Sequence, residues 1–127
     1  ASISISNFLE GKKVGFLNSI TIDEANQKLY ITDSGPIRMT FSSKETLLAH
    51  KAGKIIEYDL NKRTSRILLD NIAFPNGITF EPSTNSIFYS ELSLHKIWKY
   101  SIPTQKHTLL IDNFFGFADN LKIGESG

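Results

Sequence analysis

The 127-residue sequence contains no cysteine, and this absence excludes disulfide bridges and thiolate metal sites from the chain. It shows no signal peptide and no long apolar run. Neither sign of charge is in excess, because 14 basic and 13 acidic residues are spread along the chain and give a formal net charge of +1. We therefore expect no nucleic-acid partner and no attraction to an anionic membrane surface.

What the sequence does contain is an internal repeat of short alternating apolar stretches. Residues 74–80 (FPNGITF) have a counterpart upstream at residues 16–22 (FLNSITI) and another downstream at residues 117–123 (FADNLKI). In each copy an aromatic residue precedes an Asn or Asp, which is followed by the period-two pattern of a β-strand. The aligned polar positions are Asn18, Asn76 and Asp119.

The repeat continues beyond these strands. Residues 54–60 (KIIEYDL) match residues 96–102 (KIWKYSI) at a distance of 42 positions, and Asn18 to Asp33 and Asn76 to Glu91 are both 15 positions apart. Units of four antiparallel strands that recur every few tens of residues are typical of β-propeller blades. A β-sandwich is the main alternative, but its strands need not repeat in sequence. The predicted strands are 19–23, 28–32, 54–60 and 65–69 in one blade, and 78–81, 87–90, 96–102 and 107–111 in the next.

We therefore predict an all-β chain that forms part of a β-propeller, with about two four-stranded antiparallel blades and flanking strands. Residues 1–15 are assigned to the end of a preceding blade, 16–73 to one blade, 74–116 to the next, and 117–127 to the start of a third. Two blades cannot close a ring, so we expect the chain to be a fragment whose partners are the missing blades of the same protein.

The two blades differ in the connection between their second and third strands, where the first blade has about 16 additional residues. Residues 42–45 (SSKE) have the spacing of a capping box, the residues that follow favour helix, and Gly53 suits its end. We predict a short inserted helix within residues 37–51. In an up-and-down blade this connection and the one that precedes strand one lie at the same end, so the insert should lie on the face of Asn18 and Asn76.

The aligned polar residues suggest a cation site. Strand one of each blade lines the central channel of a propeller, so Asn18, Asn76 and Asp119 should point toward one spot. Side-chain oxygens suit Ca²⁺, whereas zinc and copper favour His or Cys. Asn76-Gly77 taken alone is more typical of a turn. The histidines are expected to have surface or loop roles: His50, His95 and His107.

The motifs FPNGI (74–78), FYSE (88–91), KIWKY (96–100) and DNFFGFADN (112–120) together resemble the central part of strictosidine synthase-like proteins. This family belongs to a superfamily of six-bladed propellers that also includes paraoxonases and gluconolactonases. The resemblance implies that Asn18, Asn76 and Asp119, with Asn120 as a further candidate, bind calcium together with a Glu from another blade. It also implies a location in the secretory pathway, outside the cell or anchored to a membrane.

The activity implied by the resemblance is calcium-dependent hydrolysis of small-molecule esters or lactones, of the arylesterase or lactonase type, in the full-length protein. The channel cation would polarise the substrate carbonyl while water attacks. One alternative is a metal-free enzyme of the strictosidine synthase type, which condenses an amine with an aldehyde. Another is a non-catalytic propeller that binds a partner or ligand, because a fold alone does not define an activity. No catalytic acid or base is assigned.

Overall fold

The computed structural model describes residues 8–9, 12–13, 15, 17–35 and 52–112. These residues form ten strands, of which β1 (Phe8–Leu9) and β2 (Lys12–Lys13) are a short antiparallel pair. The other eight form two four-stranded antiparallel sheets in which each strand pairs with its neighbours in sequence. The first sheet contains β3 (Leu17–Asp23), β4 (Lys28–Asp33), β5 (Gly53–Asp59) and β6 (Thr64–Ile72), and the second contains β7 (Pro75–Glu81), β8 (Ser86–Glu91), β9 (Lys96–Ser101) and β10 (Lys106–Asp112). The prediction of an all-β chain with two four-stranded units is confirmed.

Hairpin turns at matching positions of the repeat have the same backbone conformation in the two sheets. Each four-residue turn ends in a residue with positive φ, a conformation that lets the chain reverse direction before the next strand. Gln27 and Asn85 hold this position in the first turn of each sheet, and Arg63 and Gln105 hold it in the last, with φ between 52° and 58°. The matching turns therefore connect the strands of the two sheets in the same way.

The first strand of each sheet begins earlier than the alternating pattern predicts. Predicted to start at residues 19 and 78, these strands start at Leu17 and Pro75, so that Asn18 and Asn76 lie inside them. A β-bulge in each strand interrupts the apolar alternation at these residues, which is why the pattern hides the strand start. The interpretation of Asn76-Gly77 as a turn is wrong, because both residues are in β7.

The core lies between the two sheets, which face each other as neighbouring blades. Tyr30 of the first sheet stacks on Phe80 of the second, with ring centroids 5.8 Å apart. Tyr100 is a buried member of this inter-sheet cluster, and Trp98 and Ile102 pack against it. The other buried members of the cluster are Ile55, Ile72, Ile78, Ile87 and Tyr89.

A second cluster covers the opposite face of the first sheet. It contains Leu29, Ile31, Ile56 and Tyr58, with Leu60 and Ile67 packed against them. Both faces of the first sheet are thus apolar, a pattern typical of a unit that packs between two neighbours.

The first strands of the two sheets, β3 and β7, lie side by side, and we call them the inner strands. The backbone N–H of Phe80 donates a hydrogen bond to Oγ1 of Thr21 at 3.1 Å, across the boundary between the sheets. The side chain of Ile20 in β3 is 57% exposed, and apolar residues of β10 are also exposed. The first strands of the two sheets are therefore neighbours, and Asn18 and Asn76 occupy equivalent positions of the repeat in them.

Several predictions from the sequence fall on residues that the structure does not describe. These are the helix within residues 37–51, the start of a third blade at residues 117–127, and the candidate ligands Asp119 and Asn120. Within the described residues, the helical structure is a 3₁₀ turn at Leu92–Leu94, and there is no helix long and apolar enough to cross a membrane.

Candidate functional site

Asn18 and Asn76 each lie at a β-bulge near the start of an inner strand. In the first sheet Leu17 pairs with Asp33 and Ser19 with Thr32, so Asn18 is the additional residue on β3. In the second sheet Pro75 pairs with Glu91 and Ile78 with Tyr89, which leaves one additional residue on β7. Bulges interrupt the ladder and redirect side chains, and they are frequent beside active sites.

A hydroxyl group completes the hydrogen bonding of each bulge. Oγ1 of Thr32 accepts a hydrogen bond from the backbone N–H of Ser19 at 2.9 Å. Oγ of Ser90 accepts one from the backbone N–H of Gly77 at 3.0 Å. Thr32 and Ser90 occupy matching positions of the repeat, as do Ser19 and Gly77. Each bulged N–H thus has a side-chain acceptor in place of a ladder carbonyl, which holds the asparagine backbone in position.

The first sheet also holds the backbone of the second sheet at its bulge. Oγ1 of Thr32 donates to the carbonyl oxygen of Asn76 at 2.9 Å, and Oγ of Ser34 donates to the carbonyl oxygen of Pro75 at 2.6 Å. Nδ2 of Asn18 donates to the same Ser34 oxygen at 3.1 Å. The structure therefore brings Asn18 and Asn76 to one end of two adjacent inner strands and links them through Ser34.

The accessibility of the two asparagines differs. Asn18 is exposed, whereas Asn76 is 7% exposed. The connection from β4 to β5 starts and ends beside them, because Asp33 and Lys54 are paired at the adjoining strand ends. This is the end at which the insert was predicted to leave the blade.

The two acidic residues that end the second strands have structural partners. Asp33 is fully buried and forms an ion pair with Lys54, 3.1 Å from Nζ to Oδ2. Its two carboxylate oxygens also accept hydrogen bonds from the backbone N–H groups of Gly15 and Gly35, both at 2.9 Å. A carboxylate with this many partners serves to fix the backbone around it.

Glu91 repeats this arrangement in the second sheet. Its Oε2 accepts a hydrogen bond from the backbone N–H of Ala73 at 2.8 Å, and its Oε1 accepts one from Nε1 of Trp98 at 3.1 Å. Ala73 stands 58 positions after Gly15, and Glu91 stands 58 positions after Asp33. The repeat therefore includes the carboxylate and the N–H group that it holds, which indicates a structural role for both carboxylates.

A second charged cluster, centred on Glu57 in β5, is also paired internally. Arg66 donates two hydrogen bonds to the buried Glu57 carboxylate, at 2.8 and 3.2 Å, and Nζ of Lys28 lies 3.6 Å from it. Burial, with the nearby Glu57 carboxylate, raises the pKa of the Tyr30 hydroxyl. These groups neutralise one another within the first sheet, so they do not suggest a second active site.

His107 lies away from the two asparagines, whereas His95 lies in the connection between β8 and β9, at the Asn76 end of the second sheet. His107 is in β10, at the outer edge of the second sheet, where its Nε2 is 3.0 Å from the hydroxyl of Tyr89. Burial lowers the pKa of His107, although the Glu91 carboxylate acts in the opposite direction. His95 follows the 3₁₀ turn after β8, where its backbone is left-handed with φ 54°. His50 lies outside the described residues.

A shallow depression of about 390 Å³ lies at the other end of the second sheet, beside Ser86, Lys99 and Thr108. The corresponding surface of the first sheet includes Tyr30 and Ile55, and the second sheet covers it. By the same repeat, a following blade would cover the depression. We therefore do not assign it as a substrate pocket.

The oxygen donors at the asparagine end suit a hard cation. Asn18 and Asn76 bring carboxamide oxygens, which are ligands for Ca²⁺. In the part of the chain that the structure describes, no group of three or more His, Cys, Asp and Glu residues is arranged to hold a metal ion. A calcium site here would thus need carboxylate ligands from elsewhere, such as Asp119, with Asn120 beside it.

Sequence reasoning missed the hydroxyl residues around the two asparagines. Thr32 and Ser90 could have been found, because hydroxyl residues at matching positions of a repeat are a signal in themselves. Ser34 could not, because Leu92 stands at the matching position of the second sheet. Its role depends on the contact between sheets, which a single repeat unit does not show.

Comparisons with known proteins are consistent with the repeat and the geometry. Residues 18–105 match the family model described as strictosidine synthase. The chain is similar to adipocyte plasma membrane-associated protein of Bos taurus, with 29% identity over 126 residues, 94% of this chain and 30% of the relative. It is also similar to strictosidine synthase-like 1 of Arabidopsis thaliana, with 27% identity over 128 residues, 94% of this chain and 31% of the relative. The chain thus spans less than a third of the length of these relatives.

A solved structure has the same fold. A β-propeller chain in the crystal structure of a nidogen/laminin complex matches with a TM-score of 0.60 and 16% sequence identity, over 81% of this chain and 34% of that chain. At this level of identity the match shows the fold alone. The two four-stranded sheets are therefore blades of a β-propeller.

Proposed function

The chain belongs to the strictosidine synthase family, and from that membership we propose that the full-length protein is a calcium-dependent hydrolase of small-molecule esters or lactones. The observation that supports the proposal is the convergence of Asn18 and Asn76. Both lie at bulges of adjacent inner strands. Asn18 donates a hydrogen bond to Ser34, and Ser34 donates one to the carbonyl oxygen of Pro75, the residue before Asn76. Since the repeat and its hydrogen bonds bring two asparagines, each with a carboxamide oxygen, to one end of adjacent strands, a cation is the ligand that suits them best.

The described residues would hold the ion and keep its site rigid. Asn18 and Asn76 would each contribute a carboxamide oxygen, and Asp119 and Asn120 are the further ligands proposed from the sequence. Thr32 and Ser90 fix the two bulges through the N–H groups of Ser19 and Gly77. A bound calcium ion would supply the positive charge that polarises a carbonyl and stabilises an oxyanion.

The reaction proposed for the whole protein is addition of water to the substrate carbonyl carbon, followed by cleavage of the ester or lactone C–O bond. The water loses a proton and the leaving oxygen gains one, so a general acid or base is also required. Asp33 and Glu91 are poor choices for this role, because hydrogen bonds and an ion pair already occupy their oxygens. We assign the base to a part of the protein outside the described residues.

The first test measures calcium binding through stability. In the full-length protein, calcium at about 100 times its Kd should add about 2.7 kcal/mol to the free energy of unfolding and raise the Tm. Asn76→Ala should abolish most of this rise. Asn61→Ala is the matched control, because Asn61 is exposed in the turn between β5 and β6, far from Asn76. A wild-type melt that calcium does not shift would contradict the proposal.

The second test separates the proposed hydrolase from its alternatives. Phenyl acetate and a small lactone should be hydrolysed in the presence of calcium, and a chelator should abolish the reaction. Calcium binding without turnover would favour a non-catalytic binding module. Condensation of an amine with an aldehyde, unaffected by the chelator, would favour an enzyme of the strictosidine synthase type.

We also propose that the protein is secreted or associated with a membrane. The support is the name of the bovine relative, adipocyte plasma membrane-associated protein. Fractionation of cells that express the full-length protein tests this, and recovery in the cytosolic fraction would contradict it.

A further inference from the structure

Ser34 is placed between the two candidate ligands. It directly follows β4 and is 6% exposed. Its Oγ lies 3.1 Å from Nδ2 of Asn18 in its own sheet and 2.6 Å from the carbonyl oxygen of Pro75 in the second sheet. Pro75 directly precedes Asn76, so one hydroxyl contacts the side chain of one candidate ligand and the backbone next to the other.

The chemistry of these three groups determines the orientation of the Asn18 carboxamide. A carbonyl oxygen can only accept, so the single hydroxyl proton of Ser34 must be donated to Pro75. The oxygen of Ser34 must then accept from Asn18, and only the amide nitrogen of Asn18 can donate to it. Nδ2 of Asn18 therefore faces Ser34, and Oδ1 is the atom left for a cation.

The repeat indicates that the blade itself does not require this hydroxyl. The hydroxyls that satisfy the bulges, on Thr32 and Ser90, are present in both sheets. The position that matches Ser34 in the second sheet is Leu92, which has no hydroxyl and whose backbone N–H instead donates to the carbonyl oxygen of Phe74. Ser34 is thus a departure from the repeat at the end of the blade that carries Asn18.

We propose that Ser34 is a positioning residue that orients the Asn18 carboxamide so that its oxygen, and not its nitrogen, is presented to a cation at this end of the channel. The inference rests on the proposed function for the identity of the cation, calcium. Without the Ser34 oxygen the carboxamide can rotate about its terminal bond. It would then present a nitrogen, which does not bind Ca²⁺, as readily as an oxygen.

The experiment is calorimetric titration of the full-length protein with calcium alone. We expect Ser34→Ala to raise the calcium Kd about 10-fold or more, which is the usual effect of removing a group that orients a metal ligand. Ser86→Ala is the matched control. Ser86 is a similarly buried serine at 1% exposure, and its Oγ donates to the carbonyl oxygen of Thr84 at the other end of β8. We expect it to leave the calcium Kd unchanged.

A second pair of variants distinguishes positioning from a general loss of structure. In Asn18→Asp the two terminal atoms of the side chain are both oxygens, so rotation no longer affects what is presented to the ion. We expect Ser34→Ala to weaken calcium binding in the wild-type background and not in the Asn18→Asp background. A merely structural role of Ser34 would weaken binding in both backgrounds.

The outcomes separate this inference from the proposed function. If the wild-type protein binds calcium and Ser34→Ala binds it equally well, the positioning role is refuted and the calcium site stands. Equal weakening in both Asn18 backgrounds also refutes the positioning role. If the wild-type protein gives no calcium signal, the proposed function fails first and the role of Ser34 fails with it.

Discussion

Gly53 provides a direct test of how the two sheets meet, because a side chain at this position would collide with the residue before Asn76. A Cβ atom on Gly53 would lie 2.7 Å from the carbonyl oxygen of Ile72, 2.8 Å from Cγ of Pro75 and closer still to Cδ of Pro75. Carbon atoms in contact are normally about 3.5–4.0 Å apart. Gly53→Ala therefore forces an overlap with the fully buried Pro75 ring.

The expected cost is high because none of the obstacles can rotate away. Two are atoms of a closed proline ring and the third belongs to the backbone. One added methyl group in a tightly packed site costs about 1–3 kcal/mol, and we expect the upper end, about 3 kcal/mol. The m value rises with protein size, so for an m value of about 3 kcal/mol per molar or more the urea midpoint of the full-length protein should fall by up to about 1 M.

A double-mutant cycle tests the contact itself. Pro75→Ala removes both ring atoms, so Gly53→Ala should cost about 1–2 kcal/mol less in that background than in the wild type. Gly35→Ala is a useful comparison, because its φ of 97° costs backbone strain while the nearest atom to its Cβ is 3.5 Å away. Its cost should not depend on Pro75. An unchanged midpoint for Gly53→Ala, or no relief from Pro75→Ala, would refute the close approach.

Three further predictions concern charge and the inserted segment. Burial lowers the pKa of folded His107 below its ordinary value of 6.5, so the unfolded chain takes up the proton first as pH falls. Urea titrations should show that stability relative to His107→Gln is retained above about pH 6.5 and declines below it; a constant difference from pH 5 to 8 would contradict this. Asp33→Asn should cost about 3–5 kcal/mol in urea unfolding, because it removes the carboxylate charge of the ion pair with the buried Lys54, and adding Lys54→Met should recover part of the loss. A Gly-Ser turn in place of residues 37–51 should change substrate preference and leave the calcium Kd unchanged, as kinetics and calorimetry would show; loss of calcium binding would contradict it.

The fold could be predicted from the sequence because the repeat exposes it twice. A match at a single position, such as Lys54 with Lys96, means little, but the first two strands and their turn repeat at 58 positions and the last two strands and their turn repeat at 42. The strand starts at Leu17 and Pro75 could not be predicted, because a bulge breaks the alternation on which strand prediction depends. Strict alternation of apolar and polar residues cannot indicate where an additional residue is inserted into a strand.

The candidate site could be predicted in part. The register of Asn18 and Asn76 is visible in the sequence, and the structure places both at one end of adjacent strands. The partners of Asp33 and Glu91 could not be foreseen, because the groups they hold, the N–H of Gly15 and of Ala73, are backbone groups that any residue except proline could supply. From the sequence alone such carboxylates could be catalytic. In the structure their oxygens are already engaged in hydrogen bonds and an ion pair, which argues against that role.

Residues that recur in both sheets can be explained by the blade architecture, whereas a residue that differs between the sheets cannot. The carboxylates of Asp33 and Glu91 hold equivalent N–H groups in both sheets, so the blade architecture is a sufficient reason for them. That reason does not extend to Ser34, because the second sheet forms the same bulge with Leu92 at the matching position. The two hydrogen bonds of this buried hydroxyl lead to Asn18 and to the carbonyl of Pro75, the residue before Asn76. The departure therefore coincides with the candidate site, and variants of Ser34 test that site without removing either candidate ligand.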